Sequence, residues 1–526
     1  MTTVTRGGPI DLDGLTLAGI QAGALRDRPV TVLGLARSGL ALARFLADAG
    51  ARMTVYDGRP ADELGDAIAA LGRRTVHLAL GPDIEPATTW AEAELVATSP
   101  SITPDFPTTE PRLRAALRRL VDEREGGDRT VPPLVSEADL FLRLCPAPTI
   151  GVTGTKGKTT TSSLIAALLA ADPRHPVVLG GNIGIPLVER LFELTPEHRV
   201  VDELSELQLP TLSGGTTVAA YTNVTSDHLD RHGSLDGYRR VKRRLAELVD
   251  VDGALVLNAE DPIVAAYAGL GPVRSILYRR DRPLRGGLGV VDGWIVADGL
   301  ERLALAGGGI AATGPDGRIM PVDELAIPGA HNVSNALAAI AVALTFGVAP
   351  DDVRAAASAF SGVEHRLEAV ALVDGVRFVN DSQGTQPDAV IAALRAFDPP
   401  IVLIAGGRDK GIDLGGLAPV VAERAVAAVL IGESGPALET AFRAAGLAHT
   451  ERAADLDEAV RRADAIARAA RAETRTATGA PGGPATVLLS PAAASFDMFV
   501  DYAARGRAFR AAVTALAAAR TGGGDR

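Results

Sequence analysis

Cysteine is nearly missing from this chain of 526 residues: Cys145 is the only one. No intramolecular disulfide can form, and a reducing compartment suits such a sequence. Cys145 is expected as a small buried residue rather than a nucleophile. A basic excess is missing as well. Lys and Arg number 53 against 64 Asp and Glu, for a net charge of −11. That balance speaks against general nucleic-acid binding. An acidic protein that takes anionic substrates must place its basic groups locally. Residues 1–11 lack the basic-then-apolar order of a signal segment. No apolar run reaches the ~20 residues that a membrane span needs. The expectation is a soluble, cytoplasmic protein whose partners include neither nucleic acid nor membrane.

Hydrophobic residues at 47%, with 57 Gly and 33 Pro, describe a globular chain punctuated by loops. At ~150 residues per domain the length gives roughly three domains. Residues 149–161 carry the sharpest signal: Thr149-Ile150-Gly151-Val152-Thr153-Gly154-Thr155-Lys156-Gly157-Lys158-Thr159-Thr160-Thr161. A short apolar strand leads into a Gly-rich turn, and 162–171 have the apolar spacing of a helix. Backbone N–H groups in such a turn converge on phosphate oxygens, helped by the helix N-terminus. Lys158 is placed to reach β/γ-phosphates and the Thr159 hydroxyl to hold Mg²⁺. Val152 stands where the P-loop pattern has glycine.

Earlier in the chain, 30–33 read as a strand, 34–39 as a turn, 40–49 as a helix and 53–56 as the next strand, tipped by Asp57. This is a βαβ unit of Rossmann type. Ala36 replaces the middle glycine of the dinucleotide fingerprint, and its methyl crowds the place of a pyrophosphate. A dinucleotide site, another nucleotide site and a plain tight turn all remain open for it. Residues 95–99 read as a further strand, 107–133 as a charged helical stretch and 136–144 as a short helix.

After the phosphate loop, 177–179 read as a strand and 180–186 as an irregular turn presenting Asn182. The strand 200–203 ends in acid, which is how a metal-binding carboxylate is offered to a P-loop nucleotide. Glu203 is the candidate Mg²⁺ ligand; a solvated strand end is the plain alternative. Beyond the strand 218–221, His228 stands among Asp227, Asp230 and Arg231 and could ligate a metal. Tyr238 and Lys242 share a helix face by their i,i+4 spacing. Taken alone, Lys242 reads as a solvated lysine, because Arg239, Arg240, Arg243 and Arg244 surround it. Short β-segments are expected over 270–325, including 293–295 and 309–310, and an apolar helix over 333–346. The last third reads as another open α/β sheet. Its strands are 376–379, 401–404, 426–431 and 487–489, with a helix from Pro387 through 396. Residues 471–484 read as a mobile loop and those after 519 as a disordered tail.

Five stretches stand in a fixed order: Gly154-Thr155-Lys156-Gly157-Lys158-Thr159-Thr160, Glu203-Leu204-Ser205, Asn223-Val224-Thr225-Ser226-Asp227-His228-Leu229-Asp230-Arg231, His331-Asn332-Val333-Ser334-Asn335-Ala336 and His365-Arg366-Leu367-Glu368. In that order they resemble the Mur ligase family, ATP-dependent amide-forming enzymes of peptidoglycan synthesis. The resemblance runs from about 28 to about 512. Within the family, Asn380-Asp381-Ser382-Gln383-Gly384-Thr385 and the run 489–499 look like the branch that adds D-glutamate. The Asp-Asn-Pro-Arg motif of the branch that adds a diamino acid is absent.

The resemblance implies an α/β fold of three domains. These are a Rossmann-like domain over 1–116 that binds a UDP substrate, a P-loop ATPase-like domain over 117–362 and a Rossmann-like amino-acid domain over 363–526. The central domain would be mostly parallel with added small β-segments. ATP would be held by Gly154, Thr155, Lys156, Gly157, Lys158, Thr159 and Thr160, with Asn332, Asn335, Arg366 and Asp381. Two Mg²⁺ ions would be served by Thr159, Glu203, His228 and a carbamylated Lys242. Lys158, His228 and Lys242 would be catalytic. UDP-N-acetylmuramoyl-L-alanine would meet Leu35, Ala36, Arg37, Ser38, Asp57, Asn182 and Ser205. D-glutamate would meet Thr385, Lys410 and Ser495. Gln383 departs from the family's Lys and Gln386 from its Asn, and both bear on amino-acid recognition. A monomer is expected, and closure of the domains should exclude water from the reacting groups. Another Mur-type or folylpolyglutamate-type ligase is the alternative.

Overall fold

A computed structural model of the chain describes residues 8–225, 229–306, 316–327, 329–408, 414–478, 483–495 and 497–521. It divides into two compact units, Met1–Phe360 and Ser361–Arg526.

The first unit holds two sheets. In the N-terminal sheet, β1 is Pro29–Leu33, β2 Arg52–Asp57, β3 Val76–Leu80, β4 Leu95–Thr98 and β5 Leu134–Ser136. All pair in parallel in the order β3-β2-β1-β4-β5. The order reverses beside β1, where open α/β sheets gather ligands at their carboxyl ends. The helix Arg37–Asp48 begins three residues earlier than the spacing suggested and buries Ala41, Leu42, Phe45 and Leu46.

The central sheet has nine strands: β6 Thr149–Thr153, β7 Val177–Gly181, β8 Arg199–Glu203, β9 Val218–Tyr221, β10 Ala254–Asn258, β11 Arg274–Tyr278, β12 Gly287–Val291, β13 Trp294–Asp298 and β14 Arg318–Pro321. Their order is β14-β13-β12-β11-β10-β9-β6-β8-β7. β12 pairs in parallel with β11, and only the β12–β13 and β13–β14 pairs are antiparallel, within the expected stretch of added small segments. Of the segments expected there, 309–310 lie outside the described residues. The parallel strands β6, β8, β9 and β10 are buried at every position, as strands covered on both faces must be. The helix Ala330–Thr345 lies against the helix Lys158–Leu169, with Ala336 to Ala343 fully buried between them and the sheet.

The expected boundary at 116 falls inside one continuous helix, Pro111–Glu125, and β5 beyond it still pairs with β4. The two sheets of this unit also share apolar packing. Val178, Leu187, Val188, Leu191 and Val200 of the central region join Leu42, Phe45 and Phe141 in one buried cluster.

The second unit contains β15 Glu368–Val373, β16 Val376–Asn380, β17 Ile401–Gly406, β18 Ala425–Ile431, β19 Thr450–Arg452 and β20 Ala485–Leu489, in the order β15-β16-β20-β17-β18-β19. Only β15 is antiparallel. Two expectations are corrected here. Residues 471–478 are not a loop but the last turns of a helix, Leu456–Thr478. Its stripe of Leu456, Ala459, Val460, Ala463 and Ala467 is buried on the sheet and carries the polar end along. The tail is helical through Thr521, in the helix Tyr502–Thr521.

Candidate active site

The phosphate loop sits at the carboxyl end of β6. Val152 is not in the loop at all: it is a buried strand residue. The turn therefore needs only Gly154 and Gly157. Gly154 has φ +150°, and a Cβ there would stand 2.0 Å from Thr222 Oγ1. Gly157 has φ +88°, and its Cβ would stand 2.6 Å from Asn335 Oδ1. Only glycine fits either place. The helix starts at Lys158, not at 162, so Lys158, Thr159 and Thr160 form its first turn. First-turn N–H groups have no acceptor within their helix, which is the setting for a phosphate.

Asn223 shapes the loop from β9. Its carbonyl accepts from Thr155 N at 2.7 Å and its Oδ1 from Lys156 N at 2.9 Å. Its Nδ2 donates to Lys156 O at 2.9 Å. Lys158 Nζ donates to Gly154 O at 3.0 Å and Thr155 O at 3.1 Å, which holds the ammonium against the loop. Asn335 reaches the same place from the helix Ala330–Thr345: Thr161 Oγ1 donates to its Oδ1 at 3.3 Å, and its Nδ2 donates to Asn332 Oδ1 at 3.2 Å. The structure thus brings Lys158, Thr159, Asn332 and Asn335 together around one turn.

Glu203 ends β8 beside that turn and is 1% exposed. Its Oε1 accepts from Asn182 Nδ2 at 2.9 Å, while Oε2 is buried with no hydrogen-bond partner. Behind it, burial pushes the Asp202 carboxyl well above its ordinary value, and the nearby Glu137 and Glu203 add to that. Burial likewise pushes Glu137 up to about 7. Lys242 is fully buried, contrary to its surroundings of arginines, and its Nζ donates to Thr153 Oγ1 at 3.1 Å. Tyr238 shares its face as the spacing required, with Nζ 5.6 Å from the ring centroid. The Tyr238 hydroxyl lies 2.9 Å from Thr155 Oγ1, so the two helix residues join the loop to the end of β6. Among the described residues no three His, Cys, Asp or Glu side chains converge as a metal cage. Asp227 and His228 lie outside the described residues.

A cleft of about 710 Å³ opens at the carboxyl ends of β1, β2 and β4. Asp57 lines it, together with Tyr56, Arg59, Arg112 and Arg231. Asp57 Oδ2 accepts from Leu35 N at 2.8 Å and from Arg59 Nη2 at 2.8 Å. Burial raises the Asp57 carboxyl, but the Arg59 and Leu35 hydrogen bonds outweigh it and leave the group below its ordinary value. Leu35, Ala36, Arg37 and Ser38 are not among the lining residues. Arg37 instead donates to the carbonyls of Gly181, Asn182 and Gly184 at 3.1, 3.1 and 3.3 Å, gripping the turn that carries Asn182. Ser205 N and Oγ both donate to Gln208 Oε1 at 2.9 Å.

In the second unit, three loops at the carboxyl ends of β16, β17 and β20 are laced together. Asp381 Oδ2 accepts from Ser490 Oγ at 2.6 Å and Oδ1 from Leu367 N at 3.2 Å. Burial pushes the Asp381 carboxyl up to about 6, against those hydrogen bonds and the charge of Arg366. His365 and Leu367 flank Arg366 with φ +63° and +46°, a left-handed region unusual for such residues and costly to hold. Gln383 Nε2 donates to Glu364 O at 3.3 Å. Ala492 N donates to Gly384 O at 2.8 Å and Arg408 N to Ala494 O at 2.9 Å, which sets Thr385 and Ser495 on adjacent loops. Lys410 lies outside the described residues.

The largest omission of the sequence reading is Arg505, 1% exposed. Its guanidinium donates to Ser382 O at 3.0 Å, Ser382 Oγ at 3.1 Å and Ala493 O at 3.1 Å. Burial brings its pKa down to about 10. Nothing in its Ala- and Arg-rich helix marks it out. Arg59 was within reach, two residues past Asp57, and Asn223 stood in a motif already quoted.

Residues 152–343 match the model of the Mur ligase middle domain, and 365–476 match that of the Mur ligase glutamate ligase domain. Among similar proteins, the UDP-N-acetylmuramoylalanine–D-glutamate ligase of Symbiobacterium thermophilum is 39% identical over 497 residues, covering 94% of this chain and 100% of the relative. The ligase of the same name from Pelotomaculum thermopropionicum is 37% identical over 490 residues, 93% of this chain and 98% of the relative. That of Acidobacterium capsulatum is 36% identical over 492 residues, 93% and 97%.

Proposed function

The chain belongs to the Mur ligase family, and from that premise we infer that it joins D-glutamate to UDP-N-acetylmuramoyl-L-alanine with ATP, releasing ADP and phosphate, in peptidoglycan precursor synthesis. The observation that carries this reading is the match to relatives of that name over 93–94% of the chain. It fits the chemistry of the residues. A carboxylate does not react with an amine at neutral pH, so ATP must first convert the L-alanine carboxylate into an acyl phosphate. The amine of D-glutamate then attacks the carbonyl carbon, and phosphate leaves.

Lys158 is proposed to hold the β/γ-phosphates as the two anions approach. The loop 154–160 would supply the backbone donors, with Asn332, Asn335, Arg366 and Asp381 against the rest of the nucleotide. Glu203 suits a metal ligand, because its buried Oε2 has no other partner. Thr159, Glu203, His228 and Lys242 would hold two Mg²⁺ ions, with Lys242 as a carbamate. Bound Mg²⁺ supplies neutralisation of the phosphate charge. The cleft lined by Asp57 and Arg59 is large enough for a nucleotide-sized group, and we assign the UDP moiety to it, with 35–38 at its approach. Asn182 and Ser205 would meet the muramoyl end; Thr385, Lys410 and Ser495 would hold D-glutamate. The division at 116 and 362, a cytoplasmic location and a monomeric state belong to the same reading. No helix among the described residues is long and apolar enough to cross a membrane.

Gln383, standing for the family's Lys, keeps a second reading in play: a Mur-type or folylpolyglutamate-type ligase with another amino acid. Single amino acids offered with ATP, Mg²⁺ and UDP-N-acetylmuramoyl-L-alanine, and the products weighed, decide between them. A mass gain with D-glutamate alone is expected; a gain with another amino acid and none with D-glutamate selects the second reading. In the same assay Lys158→Ala should lose ~10²-fold or more in rate while keeping its melting temperature.

A further inference from the structure

The three elements that carry the nucleotide site have back ends, and these meet in a second cleft. Pro148 precedes β6, whose other end feeds the phosphate loop. Arg199 opens β8, which ends at Glu203. Phe346 and Gly347 follow the 16-residue helix Ala330–Thr345, which has Asn332 and Asn335 in its first turns, ~21 and ~17 Å away by helix rise. The cleft is about 260 Å³, and five of its ten lining residues are basic: Arg174, His175, His198, Arg199 and Arg302. No lining residue is acidic, in a chain of net charge −11.

The charges are poorly compensated. Arg199 is 5% exposed; its Nη2 donates to Phe346 O at 3.0 Å and stands 3.5 Å from Asp172 Oδ2. Its Nη1 is buried with no partner. Asp172 is already taken by Arg174, at 2.8 and 3.0 Å. Arg302 has no carboxylate in ion-pair reach among the described residues. Three guanidinium charges therefore face one carboxylate. Glu197 lies near the two histidines, but it does not line the cleft. Of the histidines only His198 adds a donor: its Nδ1 accepts from Thr195 N at 3.2 Å, which leaves the proton on Nε2, whereas His175 Nδ1 donates to Glu197 O at 2.9 Å. A buried donor without an acceptor carries a cost.

We propose that this cleft is a binding site for a small phosphate-bearing anion, separate from the nucleotide site. Guanidinium groups pair phosphate oxygens two at a time. The volume is below the ~300–1,000 Å³ of pockets for drug-sized ligands, which suits phosphate or pyrophosphate rather than a nucleotide.

Calorimetric titration of the full chain tests this, with inorganic phosphate in one arm and pyrophosphate in the other. Saturating ADP in metal-free buffer at constant ionic strength keeps the phosphate loop occupied. One site is expected beside ADP. Arg174→Gln with Arg302→Gln should weaken it roughly tenfold or more, while Lys158→Ala should leave it unchanged. Both arginines are at least partly exposed, so folding should survive. As a second readout, pyrophosphate should raise the melting temperature of the wild type and of Lys158→Ala, but not of the double variant. No binding beside ADP, binding that survives the double substitution, or binding lost with Lys158→Ala would each overturn the proposal.

Discussion

Lysine is the residue to begin with, because the chain has only four, at 156, 158, 242 and 410, among 53 basic residues. Arginine has taken every other basic position. Of the four that remain, two lie in the phosphate loop and one on the buried face beside Tyr238, while Lys410 lies outside the described residues. Arginine cannot replace a lysine that acts as a compact point charge or forms a carbamate, since its guanidinium stays protonated. Four lysines also make the carbamate easy to see. Protein equilibrated with ¹³C-bicarbonate should give one carbamate ¹³C resonance, and Lys242→Ala should erase it along with nearly all activity. An unchanged spectrum in that variant removes Lys242 from this role. Asp381 gives a second test at this scale. Its folded pKa of about 6 lies above the ordinary 3.8. The stability that this group supplies is therefore complete below about pH 4 and is lost as pH rises through 6, ~3 kcal/mol in all. Asp381→Asn removes that loss. Its amide oxygen can accept from Leu367 N, and the Ser490 hydroxyl can turn to accept from its amide. The variant should gain melting temperature over the wild type from pH 5 to pH 7.5. A constant difference across that range counts against a buried, proton-holding Asp381.

Elements were legible where their burial was two-sided. The strands β8, β9, β17 and β20 are apolar runs that nothing else explains, and each was read to within a residue or two. Strand β15 was missed because it is an edge strand with none of its side chains fully buried. The helix Pro350–Ala359 was missed although its signals were present, with Pro350 at its start and Asp351 and Asp352 in its first turn. The first turn after the phosphate loop read as loop because its Lys-Thr-Thr-Thr run has no apolar stripe; the left-handed Gly157 at its N-cap starts the helix there. Arg505 was out of reach, since its partners are mostly carbonyls, which no side-chain pattern records. Its role is a matter of elements: it ties the loop after β16 to the loop after β20. Arg505→Met keeps the length and removes the donors, leaving the Ser382 and Ala493 carbonyls unsatisfied at ~1–3 kcal/mol each. The KM for D-glutamate should rise roughly tenfold or more, since Thr385 and Ser495 lose their common tether. The KM for the UDP substrate should stay level. Equal rises in both would make Arg505 a residue of general stability only.

At the scale of the whole molecule, the proposed UDP and D-glutamate sites fall in different compact units. The 710 Å³ cleft and the phosphate loop lie wholly in Met1–Phe360, while Thr385, Gln383, Arg408, Lys410 and Ser495 lie in Ser361–Arg526. Substitutions should therefore separate by substrate. Arg59→Ala removes the partner of Asp57 at the cleft wall, so the KM for UDP-N-acetylmuramoyl-L-alanine should rise and that for D-glutamate should not. The reverse is expected of Lys410→Ala. Glutamate brings two carboxylates, and a cation serves each better than an amide does, because charge-assisted hydrogen bonds are roughly twice as strong. Gln383 supplies no charge, and its amide nitrogen already donates to Glu364 O. Lys410 is therefore proposed as the main anchor, with Arg408 the nearest substitute. Lys410→Ala should raise the KM for D-glutamate far more than that for ATP, and Gln383→Lys should lower it or leave it level. If Lys410→Ala left D-glutamate affinity intact while Arg408→Ala destroyed it, the anchor would be Arg408, whose backbone N–H already ties its loop to Ala494.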